Sequence, residues 1–225
     1  MKGLIFKKGL NGAALKIIAL ISMTVDHVGA AIFPDAVFLR IIGRVAMPVF
    51  AFMIAEGCFY TKNKTRYFFT VFITGLICVL GYYVAENELY LNALITFSFS
   101  MAIIFGIAYS QRFKNRLAFL VPLVAVLFSA FVNYAMPEIT GDARWKPDYG
   151  FFGTLLPVFI YVFKDFRLKL AGLTAGLTLV ALSLGGVQWW AYLSLPFLIF
   201  YDGTRGKLRL KYFFYVYYPL HFVAI

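Results

Sequence analysis

The chain has 225 residues, of which 62% are hydrophobic, 20% aromatic and only 14% charged, and its mean hydropathy is +0.82. Soluble domains run at roughly 45–50% apolar and about 25% charged, so this composition excludes an ordinary soluble enzyme and indicates an all-α, polytopic integral membrane protein. The net charge of +11 would suit a nucleic-acid partner, but its placement along the chain excludes that role.

Nine apolar segments are bounded by charges and turn residues: 13–33, 37–60, 67–85, 91–110, 117–135, 149–163, 170–184, 187–201 and 212–225. A membrane span needs about 20 apolar residues. The last four segments are shorter than that, and are expected to be tilted, re-entrant or partly buried. Gly185-Gly186 lies between the seventh and eighth, so eight spans is the alternative to nine. The first segment, with lysines before it and Val28-Gly29-Ala30-Ala31 within it, has some features of a signal peptide. Its apolar run continues to Phe33, however, and it is expected to be an uncleaved span. No repeat appears, and the longest loop, 136–148, leaves no room for a soluble domain. A single domain over 1–225 is expected.

Basic residues gather in alternate connections. Lys2, Lys7, Lys8 and Lys16 precede or open the first segment. Lys62, Lys64 and Arg66 follow the second, Arg112, Lys114 and Arg116 the fourth, Lys164, Arg167 and Lys169 the sixth, and Arg205, Lys207, Arg209 and Lys211 the eighth. The other connections hold Arg144 and Lys146 only, with Glu86, Glu88, Glu138 and Asp142. Cytoplasmic loops are rich in Lys and Arg. The expected topology therefore has the N-terminus inside, the C-terminus outside, and a location in the cytoplasmic membrane. The net charge is mostly topology.

Five ionisable side chains interrupt the first two segments: Asp26, His27, Arg40, Arg44 and Glu56. Such groups are costly within a membrane and mark functional sites by default. At a helical rise of about 1.5 Å per residue, Asp26, His27 and Arg44 lie roughly 10 Å below the same boundary. The short loop makes the two helices antiparallel neighbours, so these three groups come level. Arg40 and Arg44, spaced i,i+4, share a face and suit a carboxylate or phosphate. Asp26 is expected to pair with one of them and neutralise only one. His27, about 100° further round the helix, is then left for the pocket as a general base. The bland alternative is a structural ion network between two helices.

Weaker candidates lie elsewhere. Asn92 and Thr96 share a face at the start of the fourth segment. Asp148, Tyr149 and Gly150 open the sixth. Tyr218, Pro219 and His221 lie in the last. Lys16 is expected to snorkel to the surface. Cys58 and Cys78 have no CxxC spacing, and two histidines in separate segments make no metal site, so no metal is expected. GxSxG, Walker, dinucleotide-binding and HExxH patterns are absent.

At these residues the chain resembles the TraX proteins. The resemblance is carried by L-K-I-I-A-L-I-S-M-T-V-D-H-V-G-A (15–30), L-R-I-I-G-R-V-A-M-P-V-F-A-F-M-I-A-E-G (39–57), L-N-A-L-I-T-F (91–97), D-Y-G-F-F-G-T-L-L-P (148–157), F-Y-D-G-T-R-G (200–206) and K-Y-F-F-Y-V-Y-Y-P-L-H (211–221). It departs from the pattern at Leu80-Gly81-Tyr82-Tyr83. The resemblance implies a membrane-embedded acyltransferase that takes acetyl from cytoplasmic acetyl-CoA and places it on an amine or hydroxyl of an exported acceptor. The acceptor would be a pilin or peptide N-terminus, or an envelope glycan. His27 is then the expected base, assisted by Asp26. Arg40, Arg44, Glu56, Asn92, Asp148, Tyr149, Tyr218 and His221 are expected binding residues, and Lys62, Lys64 and Arg66 would meet the CoA phosphates. Two other classes fit the residues: a small-molecule or proton-coupled transporter, and a non-enzymatic assembly factor for a pilus or secreted peptide.

Overall fold

The computed structural model describes residues 9–113, 116–207 and 211–224. Lys2, Lys7, Lys8, Lys114 and Arg209 of the basic set, and Ile225 of the last segment, lie outside the described residues. Among the described residues the fold is helical, with a single isolated bridge between Leu10 and Tyr201.

Local signals set the helix starts. α1 (Gly12–Ala31) opens on Asn11, whose side chain accepts from the amides of Ala13 and Ala14 at 3.1 and 3.0 Å. The turn at 202–206 supplies further partners: Gly12 N–H donates to the carbonyl of Thr204 at 2.7 Å, and Ala13 N–H to that of Arg205 at 3.1 Å. This turn needs Gly206 at φ +81°, where a Cβ would collide with the Asn11 side chain.

The second segment is two helices, not one. α2 (Val37–Gly43) stops at a turn through Arg44 and Val45, and α3 (Ala46–Tyr60) follows. Pro48 accounts for the break. It has no N–H to give the carbonyl of Arg44, four residues back, and its ring clashes with that carbonyl in a regular helix. The amide of Arg44 is instead shared between the carbonyls of Arg40 and Ile41, both at 3.2 Å.

α4 (Lys64–Glu86) is capped by Asn63, which accepts from Arg66 N–H at 2.8 Å, and ends on Asn87 in the left-handed region. α5 (Ala93–Phe113), α6 (Leu120–Ala130), a π turn at Phe131–Ala135 and the short α7 (Met136–Thr140) come next, then α8 (Gly150–Tyr161). α9 (Phe166–Leu184) begins four residues earlier than the hydropathy suggests. Asp165 caps it through the amides of Arg167 and Leu168, so the helix carries two basic residues in its first turn. A 3₁₀ run over Gly186–Ser194, α10 (Leu195–Ile199) and α11 (Lys211–Ala224) complete the chain.

Among the described residues, six helical stretches are long and apolar enough to cross a membrane: Gly12–Ala31, Val37–Tyr60 (α2 with α3), Lys64–Glu86, Ala93–Phe113, Leu117–Thr140 (α6, the π turn and α7) and Phe166–Leu184. The sixth, eighth and ninth apolar segments form helices below that length. Leu76, Leu80 and Val84 on α4, and Val124, Leu127 and Phe128 on α6, are exposed. Side chains this apolar suit contact with lipid rather than water. The chain is a membrane protein.

Two compact units divide the chain, Met1–Met53 with Val162–Ile225, and Ile54–Tyr161. In the first, Leu15, Ala19, Val49, Phe52, Leu173, Leu177 and Leu198 are buried, and Phe52 lies edge-on to Phe166 and Tyr201 at 6.3 and 5.8 Å between centroids. In the second, Phe97, Met101, Ile104, Leu156 and Ile160 are buried, and Ser100 on α5 donates to the carbonyl of Thr154 on α8 at 2.6 Å.

Candidate active site

The first unit carries the charge cluster. Asp26 on α1 is buried, and its carboxylate takes one guanidinium on each oxygen. Arg40 Nη1 donates to Oδ2 at 2.9 Å and also to the backbone carbonyl of Asp26 at 2.9 Å. Arg44 Nη2 donates to Oδ1 at 2.5 Å, and its Nε donates to the carbonyl of Arg40 at 3.3 Å. The sequence suggested that Asp26 serves one arginine, whereas it bridges both. The reason is that Arg40 and Arg44 stay one helical turn apart, the Arg44 amide still bonded to the Arg40 carbonyl, so both guanidiniums face α1. Gly43 makes the close approach possible, because a Cβ there would run into the Asp26 side chain. One carboxylate against two guanidiniums leaves the cluster one unit positive.

His27 points elsewhere, as its 100° offset requires. Its Nδ1 lies 2.8 Å from Nε2 of His221 on α11, and the two rings meet edge to edge, with centroids 4.8 Å apart and 20° between planes. His221 is buried, and its Nδ1 lies 3.4 Å from the carbonyl oxygen of Tyr217. The Tyr217 ring stacks on it at 5.8 Å and 5°, and the Tyr218 ring meets it edge-on at 5.2 Å.

Two further contacts show how α1 and α11 pack. The hydroxyls of Thr24 and Tyr217 lie 2.7 Å apart. The ammonium of Lys16 sits 6.0 Å from the Phe214 ring centre. Lys16, Thr24 and His27 follow one face of α1; Phe214, Tyr217 and His221 follow one face of α11. Both series rise together along the chain, so the helices are parallel neighbours. Lys16 also lies within electrostatic reach of Arg205 in the turn that folds onto the start of α1.

Comparison with known protein families places this architecture. A family model described as TraX protein matches residues 11–225. The chain belongs to the TraX family. An uncharacterised protein, RP591, of Rickettsia prowazekii (strain Madrid E) is 31% identical over 137 residues, covering 60% of this chain and 49% of the relative. A probable fimbrial assembly protein, FimC of serogroup H1, from Dichelobacter nodosus is 33% identical over 67 residues, 28% of each chain. The chain therefore spans about half or less of the length of these relatives. No solved structure matches it.

In this TraX chain the remaining predicted residues belong to the second unit. Asn92 is fully buried, and both ends of its amide are engaged. Its Nδ2 donates to the carbonyl of Gly75 at 2.9 Å, and its Oδ1 accepts from Leu94 N–H at 3.0 Å. Asp148 ties the loop before α8 to the start of α5. Its amide donates to the carbonyl of Leu91 at 2.7 Å, its carbonyl accepts from the Thr96 hydroxyl at 2.6 Å, and its Oδ2 accepts from the Tyr90 hydroxyl at 3.0 Å. Tyr149 follows at φ +62°, a left-handed conformation unusual for an aromatic residue. Asp148 thus meets Tyr90, Leu91 and Thr96 at and just before the start of α5. Glu56 is buried on α3. Cys58 and Cys78 are free and buried.

Sequence reasoning missed Thr24 and Tyr217, and it treated the two histidines separately. Their spacings along α1 and α11 mark common faces, but no local signal says which helices are neighbours.

Proposed function

We propose that the protein is a membrane-embedded acetyltransferase that moves an acetyl group from cytoplasmic acetyl-CoA to an amine or hydroxyl of an exported acceptor. The observation that carries this reading is the column along α1 and α11. It has a cationic end at Lys16 and Arg205 and a histidine end at His27. His27 lies eleven positions after Lys16, a rise of about 16 Å. A CoA thioester has the matching form: an anionic phosphate end, an extended pantetheine arm of similar reach, and a reactive carbonyl at its tip. Lys16 at the N-terminal end of α1 then faces the cytoplasmic supply of donor, and the other basic connections complete that side.

The chemistry follows from the groups at the far end. His27 removes the proton of the acceptor as its nitrogen or oxygen attacks the thioester carbonyl. The one-unit positive cluster of Asp26, Arg40 and Arg44 stabilises negative charge, either the developing oxyanion or an anionic part of the acceptor. Asp26 keeps the arginines placed, and Tyr218 and His221 form the wall beside the base. Direct transfer is favoured, because Cys58 and Cys78 are both buried thiols in apolar runs. Glu56, Asn92, Asp148 and Tyr149 are candidate binding residues of the second unit, where Asp148 holds the turn that carries Tyr149.

Similarity to a probable fimbrial assembly protein favours a pilin or another exported subunit as acceptor. It also supports a second reading, a non-enzymatic assembly factor. The deciding test is CoA release from acetyl-CoA by purified protein in liposomes with host extract, comparing wild type with His27→Ala. The enzyme reading expects release by wild type and its loss, by about 10²-fold or more, in a variant that still inserts. Release in neither sample, or equal release in both, overturns it.

A further inference from the structure

The contacts around the two histidines favour one placement of the proton between them. Ring nitrogens 2.8 Å apart need a single N–H between them. The Tyr217 carbonyl can only accept, so the nitrogen facing it, His221 Nδ1, carries a proton. A neutral imidazole has one N–H, which leaves His221 Nε2 as an acceptor. His27 Nδ1 must then be the donor, and the lone pair of His27 lies on Nε2.

We propose that His221 is a positioning residue that fixes His27 as the Nδ1–H tautomer and shares the proton His27 acquires. This deepens the acetyltransferase reading and rests on it for the chemical step. The tautomer assignment is argued from the geometry and not from the enzyme reading. In the step, His27 Nε2 takes the proton of the acceptor's O–H or N–H while that oxygen or nitrogen bonds to the thioester carbonyl carbon. The carbon–sulfur bond then breaks, its electron pair leaves on sulfur, and the thiolate takes the proton from His27 Nε2. Between the two transfers, His27 is a cation. Its Nδ1 proton shifts toward His221 Nε2 during that interval and moves charge one ring further along α11.

The surroundings explain why a second imidazole suits this place. The charged groups near His27 are Asp26 on α1, and Arg40 and Arg44 at and after α2. From α11 come His221, Tyr217 and Tyr218. The cluster is already one unit positive, so a further charge held on His27 alone is opposed by Coulomb repulsion. Sharing it with His221 lowers that cost. A carboxylate in the orienting position would need its own counter-charge when buried, whereas neutral imidazole does not. The stacked Tyr217 ring, tied to Thr24 by the 2.7 Å hydroxyl contact, holds the His221 ring plane in place.

The chain has two histidines, so ¹⁵N-histidine labelling yields two assignable rings by NMR in nanodiscs. In wild type, His27 is expected to show its N–H at Nδ1 and a bare Nε2. In His221→Phe it should revert to the Nε2–H form that predominates in water. An Nε2–H His27 in the wild type overturns the proposal, and this readout needs no activity and no folded variant. In the CoA-release assay, His221→Leu should lower kcat by about 10–100-fold with KM for acetyl-CoA held. His221→Gln, whose amide oxygen reaches the place of Nε2, should recover about tenfold or more over His221→Leu. Full activity in His221→Leu overturns the positioning role and leaves the enzyme reading intact. CoA release absent in wild type overturns the enzyme reading, while the tautomer measurement still decides the geometry.

Discussion

Asp26 is the residue on which the site depends most directly, because it is the shared counter-charge of two guanidiniums. Its side chain and that of Arg44 are 11% and 6% exposed, so little solvent is available to replace the lost partner. Removing one member of a buried pair leaves an uncompensated charge, typically costing about 3–5 kcal/mol. Asp26→Ala is therefore expected to unfold at a markedly lower temperature in detergent. Combining it with Arg44→Met, which removes one of the orphaned cations, should restore part of that loss. Thermal melts of the single and double variants check this, and equal destabilisation of both would count against a shared carboxylate. Gly43 sets a steric limit at the same place. Gly43→Ala places a methyl group against the Asp26 side chain; it should lower stability and CoA release together, although alanine is the better helix former.

At the scale of elements, the break between α2 and α3 trades helix continuity for placement. Pro48 stands in the first turn of α3, where proline is tolerated, and its missing N–H keeps α3 from running on into α2. Pro48→Ala supplies that N–H and lets the two helices join. The expected outcome is a melting temperature equal to or above wild type with CoA release reduced by about tenfold or more, the pattern of strain retained for function. A variant as active as wild type would show that the break is incidental. The pairing of α1 with α11 rests on Thr24 and Tyr217 as well as the histidines. Hydrogen bonds between membrane helices average about 0.6 kcal/mol and reach about 1.7 kcal/mol. A double-mutant cycle of Thr24→Val and Tyr217→Phe should give a coupling in that range. These elements also show what a single sequence reveals. Apolar runs and the level placement of Asp26 with Arg44 are local signals and were legible, whereas the caps at Asn63 and Asp165 start their helices ahead of the apolar runs. The break at Arg44 was legible in Pro48 but hidden by an unbroken apolar run. The contact between His27 and His221 was not legible, since it joins residues 194 positions apart through a helix pairing that no spacing encodes.

For the whole molecule, the open physical question is which helices cross the bilayer. Six are long enough. α8 has 12 residues and α11 has 14, which at about 1.5 Å per residue span roughly 18 and 21 Å, short of a hydrocarbon core of about 30 Å. The basic connections nevertheless alternate as if every segment crosses: Arg144 and Lys146 precede α8 among acidic residues, while Lys164 and Arg167 follow it. A helix too short for the bilayer can still pass through it where protein surrounds it or the membrane thins. Buried α8 residues such as Gly153, Thr154, Leu156 and Ile160 favour the first route. Single cysteines decide the matter. Cys58 and Cys78 are replaced by alanine, and cysteine is placed at Lys62, Glu88, Asp142, Lys164 or Arg205, then treated with a membrane-impermeant maleimide on intact cells. Labelling is expected at 88 and 142 before lysis, and at 62, 164 and 205 only afterwards. The pair at 142 and 164 reads α8 alone. If both react on intact cells, α8 enters and returns on one face. Labelling at 205 on intact cells would place the 202–206 turn, and with it the start of α1 to which it is hydrogen-bonded, on the outer side, away from the cytoplasmic donor that the proposed function requires. The topology measurement therefore tests the proposed donor site as well as the span count.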